Sequence, residues 1–552
     1  MIETGLAAIV AIALSGVAEP EGGPMSEVSL EAGLVAHWRL DDDSKDGSGN
    51  GHDGENRGVM FAEDAAQFDG RAAHIVVPDS PALRLGESDF AVAAWVRTED
   101  ALDDVLGDII GKYDPVSRKG LNLCIQNFHG VTSCQANYRN ILFGVDGGAE
   151  PGEWRDCGRP GDCLMVWALC VYEGDLYAGT FETGKDQSGH VYRHDGGAGW
   201  IDCGSPYPSN AVTALAAWDG KLYAAASHYR SSGSALPESE NTVPGGRVFR
   251  YEGGTKWSDC GRIAEIEGIG GLSVYRGQLY ACSLVAPPGL FRYEGGQTWT
   301  DCGNPGGRVE ALAVHNGSIF GSGWDAHHAG VYRYDADGTW TDCGTPPGTT
   351  QTYSFAIHRG RMYIGTWPGG KAFRYAGDAN WDDCGQLGDE REVMGMAVYN
   401  GKLYAGTLPL AEVHRYDGDD RWTSTGQLDT TPDVKYRRAW SMAVYRGQLF
   451  CGTLPSGHVY AMRAGQCVTW DRELAPGWRH VAAIRRAGML ELFVDGTPVA
   501  EEDVPGAGGL DVSNEAPLTI GFGAHDYFQG AMKDVRVYDR ALSAEEVAAL
   551  AE

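Results

Sequence analysis

Trp340-Thr341-Asp342-Cys343-Gly344 and Trp381-Asp382-Asp383-Cys384-Gly385 stand 41 residues apart, and the same Trp-x-Asp-Cys-Gly pattern begins at Trp154, Trp200, Trp257 and Trp299. A seventh copy, Trp422-Thr423-Ser424-Thr425-Gly426, carries Thr425 where the others carry Cys157, Cys203, Cys260, Cys302, Cys343 and Cys384. Successive tryptophans are separated by 46, 57, 42, 41, 41 and 41 residues, a period that marks a repeated supersecondary unit. Each unit holds four short alternating or apolar runs, such as residues 354–358, 361–365, 372–375 and 381–384, divided by tight-turn pairs such as Arg359-Gly360 and Gly377-Asp378. Four strands per repeat make a propeller blade. Residues 150–466 are therefore expected to form a seven-bladed β-propeller.

The last repeat supplies only three strands, so the orphan strand at residues 154–158 is expected to complete its blade beside residues 458–462 and close the ring. The turn before each Trp resembles the Asp-box turn of sialidase-like propellers: Glu294-x-Gly296-x-Thr298-Trp299 fits its second half. The Ser position of that turn is taken by Arg193, Arg250, Arg292, Arg333, Arg374 and Arg415. One copy per blade suits an architectural role, with these arginines expected to pair with Asp groups of neighbouring blades. An anion-binding ring is the alternative.

The flanks alternate with period two, as in Glu491-Leu492-Phe493-Val494-Asp495 and Asp534-Val535-Arg536-Val537-Tyr538, the pattern of two packed antiparallel sheets. Leu34–Asp41 with His37 and Trp38, Phe68-Asp69-Gly70, residues 90–96, Trp478-Arg479-His480-Val481-Ala482 and Leu492–Gly496 resemble the laminin-G-like, concanavalin-type jelly-roll family. The resemblance covers residues 29–149 and 467–552 and implies one β-sandwich interrupted by the propeller. It also implies a structural Ca²⁺ near the oxygen-rich loop Asp46–Asp53, with Asp46, Asn50, Asp53 and Asp534 as ligands; such a loop can wrap a hard cation, and a plain Asn/Gly turn is the other reading. Lys533, beside Asp534, departs from the family's acidic pair.

Of 552 residues, 43% are hydrophobic and 10% aromatic, enough for substantial cores, and 79 glycines suit many short strands, so the class is all-β. The net charge of −31 repels phosphate backbones and anionic lipid, which argues against nucleic acid as a partner. Six of the 13 cysteines recur at one repeat position and read as small buried residues, while Cys124 and Cys134 are spaced for a local bridge. Residues 1–24 read as a leader or signal peptide, too short to span a bilayer and without a Lys or Arg before its apolar stretch; a true start at Met25 implies a cytoplasmic protein instead.

Aligning the inner strands places Trp167, Thr213, Gly270, Glu310, Tyr353, Met394 and Trp440 at one position at the mouth of the channel, each followed by a small residue. With Trp324, Asp325 and Trp367 from the loops above, Trp167, Glu310, Tyr353 and Trp440 form a candidate ligand-binding mouth. Aromatic planes with a few polar groups suit a saccharide, whose C–H faces stack and whose hydroxyls need directed partners; blade packing is the competing use of these rings. No nucleophile elbow, phosphate loop or His-Glu-x-x-His occurs. The expectation is a non-catalytic, extracytoplasmic, carbohydrate-binding protein. The alternatives are a glycan hydrolase or lyase using Glu310 and Asp325, and a protein–protein scaffold.

Overall fold

A computed structural model describes residues 30–128, 135–324, 327–503 and 510–552. Strands dominate, and the one α-helix among the described residues, Ala544–Leu550, starts with a Ser543/Glu546 capping box. Two sheets face each other across one core. The first orders Met60–Ala62, Ala65–Asp69, Gln529–Tyr538, Phe90–Thr98, Gly477–Arg486, Met489–Val494 and Thr497–Asp503, with Leu34–Trp38 also on Gln529–Tyr538. The second orders Glu55–Arg57, His74–Val77, Leu518–Ile520, Gly107–Asp114, Lys119–Phe128, Asn137–Gly147 and Gln466–Trp470. Alternation decides which side chains point inward: Phe90, Val92, Ala94 and Val96 meet Ile141, Phe143 and Val145 in the shared core, while Ala91 and Ala93 face the helix residues Val547 and Leu550. Both sheets mix strands from before residue 148 and after residue 465. At the junction Asn137–Gly147 lies antiparallel to Gln466–Trp470, with Val145 opposite Gln466.

The intervening strands adopt a propeller arrangement. Five four-stranded sheets stand apart, against the seven expected. The departure arises at one contact: Phe181 pairs with Ala211, joining Met165–Asp202 to Ala211–Arg262 as a single eight-stranded sheet. The orphan outer strand is Arg155–Asp156, and it pairs with Val459–Met462 through Arg155–Ala461 and Asp156–Tyr460.

Each residue of the repeated motif has a separate task. The Trp indole N–H reaches back to the preceding copy and donates to its Cys carbonyl: Trp200 to Cys157 at 3.0 Å, Trp257 to Cys203 at 2.9 Å, Trp299 to Cys260 at 2.9 Å, Trp381 to Cys343 at 2.9 Å and Trp422 to Cys384 at 2.8 Å. Trp154 donates at 3.2 Å to the Thr425 hydroxyl, so the first copy is fastened to the last and Thr425 replaces Cys at that closure. Trp340 is the exception, its Nε1 buried without a hydrogen-bond partner. The Asp carboxylate caps the turn by accepting the Gly N–H two residues on, as Asp342 does from Gly344 at 2.8 Å. Gly344 itself has φ +84°, and a Cβ there would sit 2.4 Å from the Ala379 carbonyl oxygen, so glycine is required. All six motif cysteines are buried and free, as small apolar residues are. Cys134 lies outside the described residues, and with it the Cys124–Cys134 bridge.

The turn arginines pair with acids of their own sheets, Arg415 meeting Glu150 as well at 2.7 Å, which corrects the expected pairing with neighbouring blades. Arg250, Arg292, Arg333 and Arg415 meet the acid two residues on, Glu252, Glu294, Asp335 and Asp417, because positions i and i+2 of a strand share a face. Arg193 and Arg374 meet Asp175 and Asp382 on adjacent strands.

One end of the propeller is closed by the sandwich. The Asn137 carboxamide donates to the Val444 carbonyl at 2.7 Å and accepts from its N–H at 3.0 Å. Gln135 accepts from the Val274 N–H at 2.8 Å, and Lys402 forms a buried ion pair with Asp146. Residues such as Val444 and His358 at one end of the inner strands thus face the sandwich. The other end, bearing Trp440 and Tyr353, is left open as the mouth.

Candidate functional site at the propeller mouth

Six inner strands slip register at the mouth: between Val166 and Ala168, Val212 and Ala214, Ile269 and Gly271, Thr352 and Phe355, Val393 and Met396, and Ala439 and Ser441. These bulges fall on Trp167, Thr213, Gly270, Tyr353, Met394 and Trp440. A bulge breaks the ladder and re-aims the extra side chain. Here it turns large rings toward the channel axis above the small residues that let the strands converge.

The result is a cavity of about 560 Å³. Trp167, Glu310, Trp324, Tyr353 and Trp440, all expected from sequence, line it together, with His228, Tyr229 and Arg230 from the loop above. Trp367 does not line it; its ring packs against Tyr436 at 6.2 Å and under Arg391. Asp325 lies outside the described residues.

The rings form one wall. Trp167 stands edge-on to Trp440 at 5.3 Å and to Tyr229 at 4.4 Å, and the Tyr229 hydroxyl is 2.6 Å from that of Ser234 in the covering turn Ser231–Ser234. Trp167 and Trp440 also belong to a buried apolar cluster with Met394, Leu408 and Leu454, so they serve core and cavity at once. Opposite them, the Trp324 indole donates to the Tyr353 hydroxyl at 3.1 Å, which donates to Gln351 at 2.5 Å.

Arg230 and Glu267 pair at 3.6 Å at the rim, and four further charged residues, Arg308, Glu310, Glu392 and Arg438, line the cavity. The Arg308 guanidinium lies 3.7 Å over the Trp324 ring and 4.0 Å from Glu310. Arg438 donates to the Ser234 carbonyl at 3.5 Å. Burial pushes the Glu310 carboxyl up to about 7, against the opposing pull of Arg308, and Glu392 adds to the rise. Burial likewise lifts Glu392 to about 7, opposed by Arg438 and by hydrogen bonding with Tyr353. Glu392 was not foreseen. The available signal was its place two residues before Met394 in the aligned row, where Arg308 and Arg438 also stand two residues before their mouth positions. Glu310 Oε2, Arg308 Nε, Arg438 Nε and Trp167 Nε1 are buried without a hydrogen-bond partner.

The proposed calcium ligands are arranged differently. Asp46 Oδ1 accepts the N–H groups of His37 and Ser48, and Oδ2 accepts the Ser48 hydroxyl and the His52 N–H. Asn50 donates to the carbonyls of Leu34 and Val35, and Asp53 accepts the Asp46 N–H. Asp534 is tied to His37 at 2.6 Å and to Arg536 at 3.0 Å. The four donors on Asp46 and the two cations on Asp534 occupy these two carboxylates, so the set would have to rearrange around Asp46 to take the ion.

The family description Concanavalin A-like lectin/glucanases superfamily matches residues 445–548. No curated protein matches the chain. Among solved structures, a streptogramin B lyase is 10% identical with a TM-score of 0.45, covering 57% of this chain and 98% of that one. A catalytically inactive virginiamycin B lyase from Staphylococcus aureus with quinupristin is 9% identical with a TM-score of 0.44, covering 56% and 99%. The WD40 β-propeller domain of Doa1 is 10% identical with a TM-score of 0.40, covering 56% and 97%. The chain thus joins a concanavalin A-like stretch to a propeller-like arrangement of four-stranded sheets in one all-β molecule.

Proposed function

We propose that the propeller mouth binds a saccharide and that the protein is a non-catalytic, extracytoplasmic recognition protein. The observation that carries this reading is the mixture of buried, unpartnered groups beside the aromatic wall: an acceptor on Glu310 and donors on Arg308, Arg438 and Trp167. A buried polar group without a partner is unfavourable by about 1–3 kcal/mol. A sugar hydroxyl both donates and accepts, and so could satisfy either kind while its ring stacks on Trp167 or Trp440. A glycan array screened with and without calcium, followed by calorimetry on the hit, tests the assignment; absence of any glycan hit from the native chain counts against it.

A second reading, a glycan-active hydrolase or lyase, is favoured by one observation: Glu310 and Glu392, two buried carboxyls held near neutrality in one cavity, resemble the acid and base that glycosidic cleavage uses. Release of reducing ends from the bound glycan, lost in Glu310→Gln, would decide for catalysis. As to organisation, we read the eight-stranded sheet as two blades, giving seven in residues 150–466, set as an insertion within a laminin-G-like jelly roll formed by residues 29–149 and 467–552. The Val145–Gln466 pairing supports it. The leader, residues 1–24, lies outside the described residues, and no helix among those described is long and apolar enough to cross a membrane.

A further inference from the structure

At the closed end of the propeller, far along the strands from the mouth, three ionisable side chains from separate segments converge. Asp104 comes from the loop before Gly107–Asp114, Asp526 from the loop before Gln529–Tyr538, and His315 from the end of the propeller strand Leu312–His315. His315 Nδ1 lies 3.8 Å from Asp104 Oδ1 and 3.9 Å from Asp526 Oδ2, and the three groups' ligand atoms all fall within 4.8 Å of one another. Asp104 and Asp526 are each 1% exposed and His315 is 5% exposed. Asp104 Oδ2, Asp526 Oδ2 and His315 Nδ1 have no hydrogen-bond partner. Among the described residues, no Lys or Arg forms an ion pair with either carboxylate.

Two buried acids facing each other without a cation are an expensive arrangement. The adjoining triad, Asp108, Cys124 and His525, differs: there the Asp108 carboxylate already accepts the N–H groups of His525 and Asp526 and lies 3.1 Å from His525 Nδ1. In the first cluster Asp104 Oδ1 accepts the Val105 N–H at 2.9 Å and Asp526 Oδ1 the Tyr527 N–H at 2.8 Å, and Oδ2 of each acid is left unsatisfied beside His315 Nδ1.

We propose that Asp104, His315 and Asp526 bind a divalent transition-metal ion, Zn²⁺ by preference, which fastens the propeller to the sandwich. Two carboxylate oxygens and one imidazole nitrogen are a donor set that suits this ion class. Tetrahedral ligation at about 2.0–2.2 Å sets ligand atoms roughly 3.3–3.6 Å apart, so the 3.8 and 3.9 Å separations from His315 must close by a few tenths of an ångström on binding. The Asn316 carboxamide nitrogen lies 3.0 Å from His315 Nε2. Ligation through Nδ1 requires that carboxamide to turn over, so that its oxygen accepts a proton held on Nε2 and Nδ1 offers its lone pair to the ion. Asp526 also borders a cavity of about 30 Å³, room for a water molecule, lined by Gln126 and Asn127, whose carboxamide atoms Gln126 Oε1, Gln126 Nε2 and Asn127 Oδ1 are likewise unpartnered.

The test uses the full-length chain, stripped with a chelator, checked for native circular dichroism, and titrated with Zn²⁺. Elemental analysis after dialysis should find one zinc per chain, and zinc should raise the melting temperature. X-ray absorption at the zinc edge should show oxygen and nitrogen neighbours and no sulfur. His315→Gln and Asp526→Asn should each weaken zinc binding at least tenfold, whereas Cys124→Ser and Asp46→Asn should leave it unchanged. A wild-type chain that retains no zinc overturns the proposal. So does a sulfur neighbour, or loss of binding in Cys124→Ser, either of which would place the ion at the adjoining triad. Should the variants fail to fold, the wild-type stoichiometry and absorption spectrum still decide.

Discussion

Replacing Glu310 by Gln is expected to stabilise the protein, and to do so only toward alkaline pH. An unfolded Glu titrates near its ordinary value of 4.5, while burial holds the folded Glu310 at about 7. Between these values the native state binds a proton that the unfolded state has lost, so this group's contribution to stability falls as pH rises through that window. At about 1.4 kcal/mol per pH unit, the penalty grows from under ~1 kcal/mol at pH 5 to about 3 kcal/mol at pH 8. Glutamine keeps the shape and the neutral charge and escapes the penalty. Urea titrations of wild type and Glu310→Gln at pH 5 and pH 8 should therefore give nearly equal stabilities at the lower pH and a variant more stable by about 2–3 kcal/mol at the higher. Because Glu392 also raises Glu310, the gain should shrink in a Glu392→Gln background. A variant destabilised to the same extent at both pH values would show that Arg308 keeps Glu310 ionised, and would refute the argument that this acid is strained in the folded state.

Three other outcomes are expected. Trp440→Ala should weaken glycan binding by roughly 1–3 kcal/mol, and because the ring is only 5% exposed it should also lose about 3–5 kcal/mol of stability; calorimetry below the melting transition separates the two, and unchanged affinity in both Trp440→Ala and Trp167→Ala would move the site to the sandwich. Asp146→Asn should destabilise the chain by about 3–5 kcal/mol by stranding the buried Lys402 charge, with much of the loss recovered in Asp146→Leu/Lys402→Met; chemical denaturation reads both, and a neutral single variant would show that the ion pair is not needed. Melting curves in EDTA and in added Ca²⁺ should coincide as far as the 46–53 loop is concerned, and a rise with Ca²⁺ that Asp46→Asn abolishes would show that the loop rearranges to take the ion.

The repeat could be read from sequence because each motif residue does the same job in most copies: the indole fastens, the Asp caps, the Cys fills and the Gly turns. Thr425 looked like a degenerate copy, and its hydroxyl proves to be the acceptor that closes the ring on Trp154. Sheet fusion at Phe181 and Ala211 had no signal, since a single cross-sheet pair leaves no pattern in composition or spacing. At the mouth, the aligned row identified Trp167, Tyr353 and Trp440, but not the bulges that aim them, because a register slip depends on the partner strand. Glu392 was hidden for a related reason: it comes into the site from two residues upstream of an aligned position occupied by Met394. The loop at Asp46–Asp53 shows the reverse. Its oxygens were plain in the sequence, whereas their existing N–H partners become visible only once the chain is folded.

The unpaired indole of Trp340 has a dynamic consequence. Where the other motif tryptophans make a hydrogen bond from one copy to the last, this joint lacks that bond at its outer edge and is tied further in by the Tyr275 hydroxyl, which donates to the Gly317 carbonyl at 2.8 Å. It lies between Thr298–Asp301 and Thr339–Asp342, the outer strands of two successive sheets, and the second of these sheets begins just after Arg308 and Glu310. A closed ring of near-identical fastenings breathes first where one fastening is absent. Amide hydrogen exchange in the sheet from Leu312 to Asp342 should therefore outpace that of the other blades, and the same breathing would widen the mouth on the side where its acid and its stacked guanidinium reside.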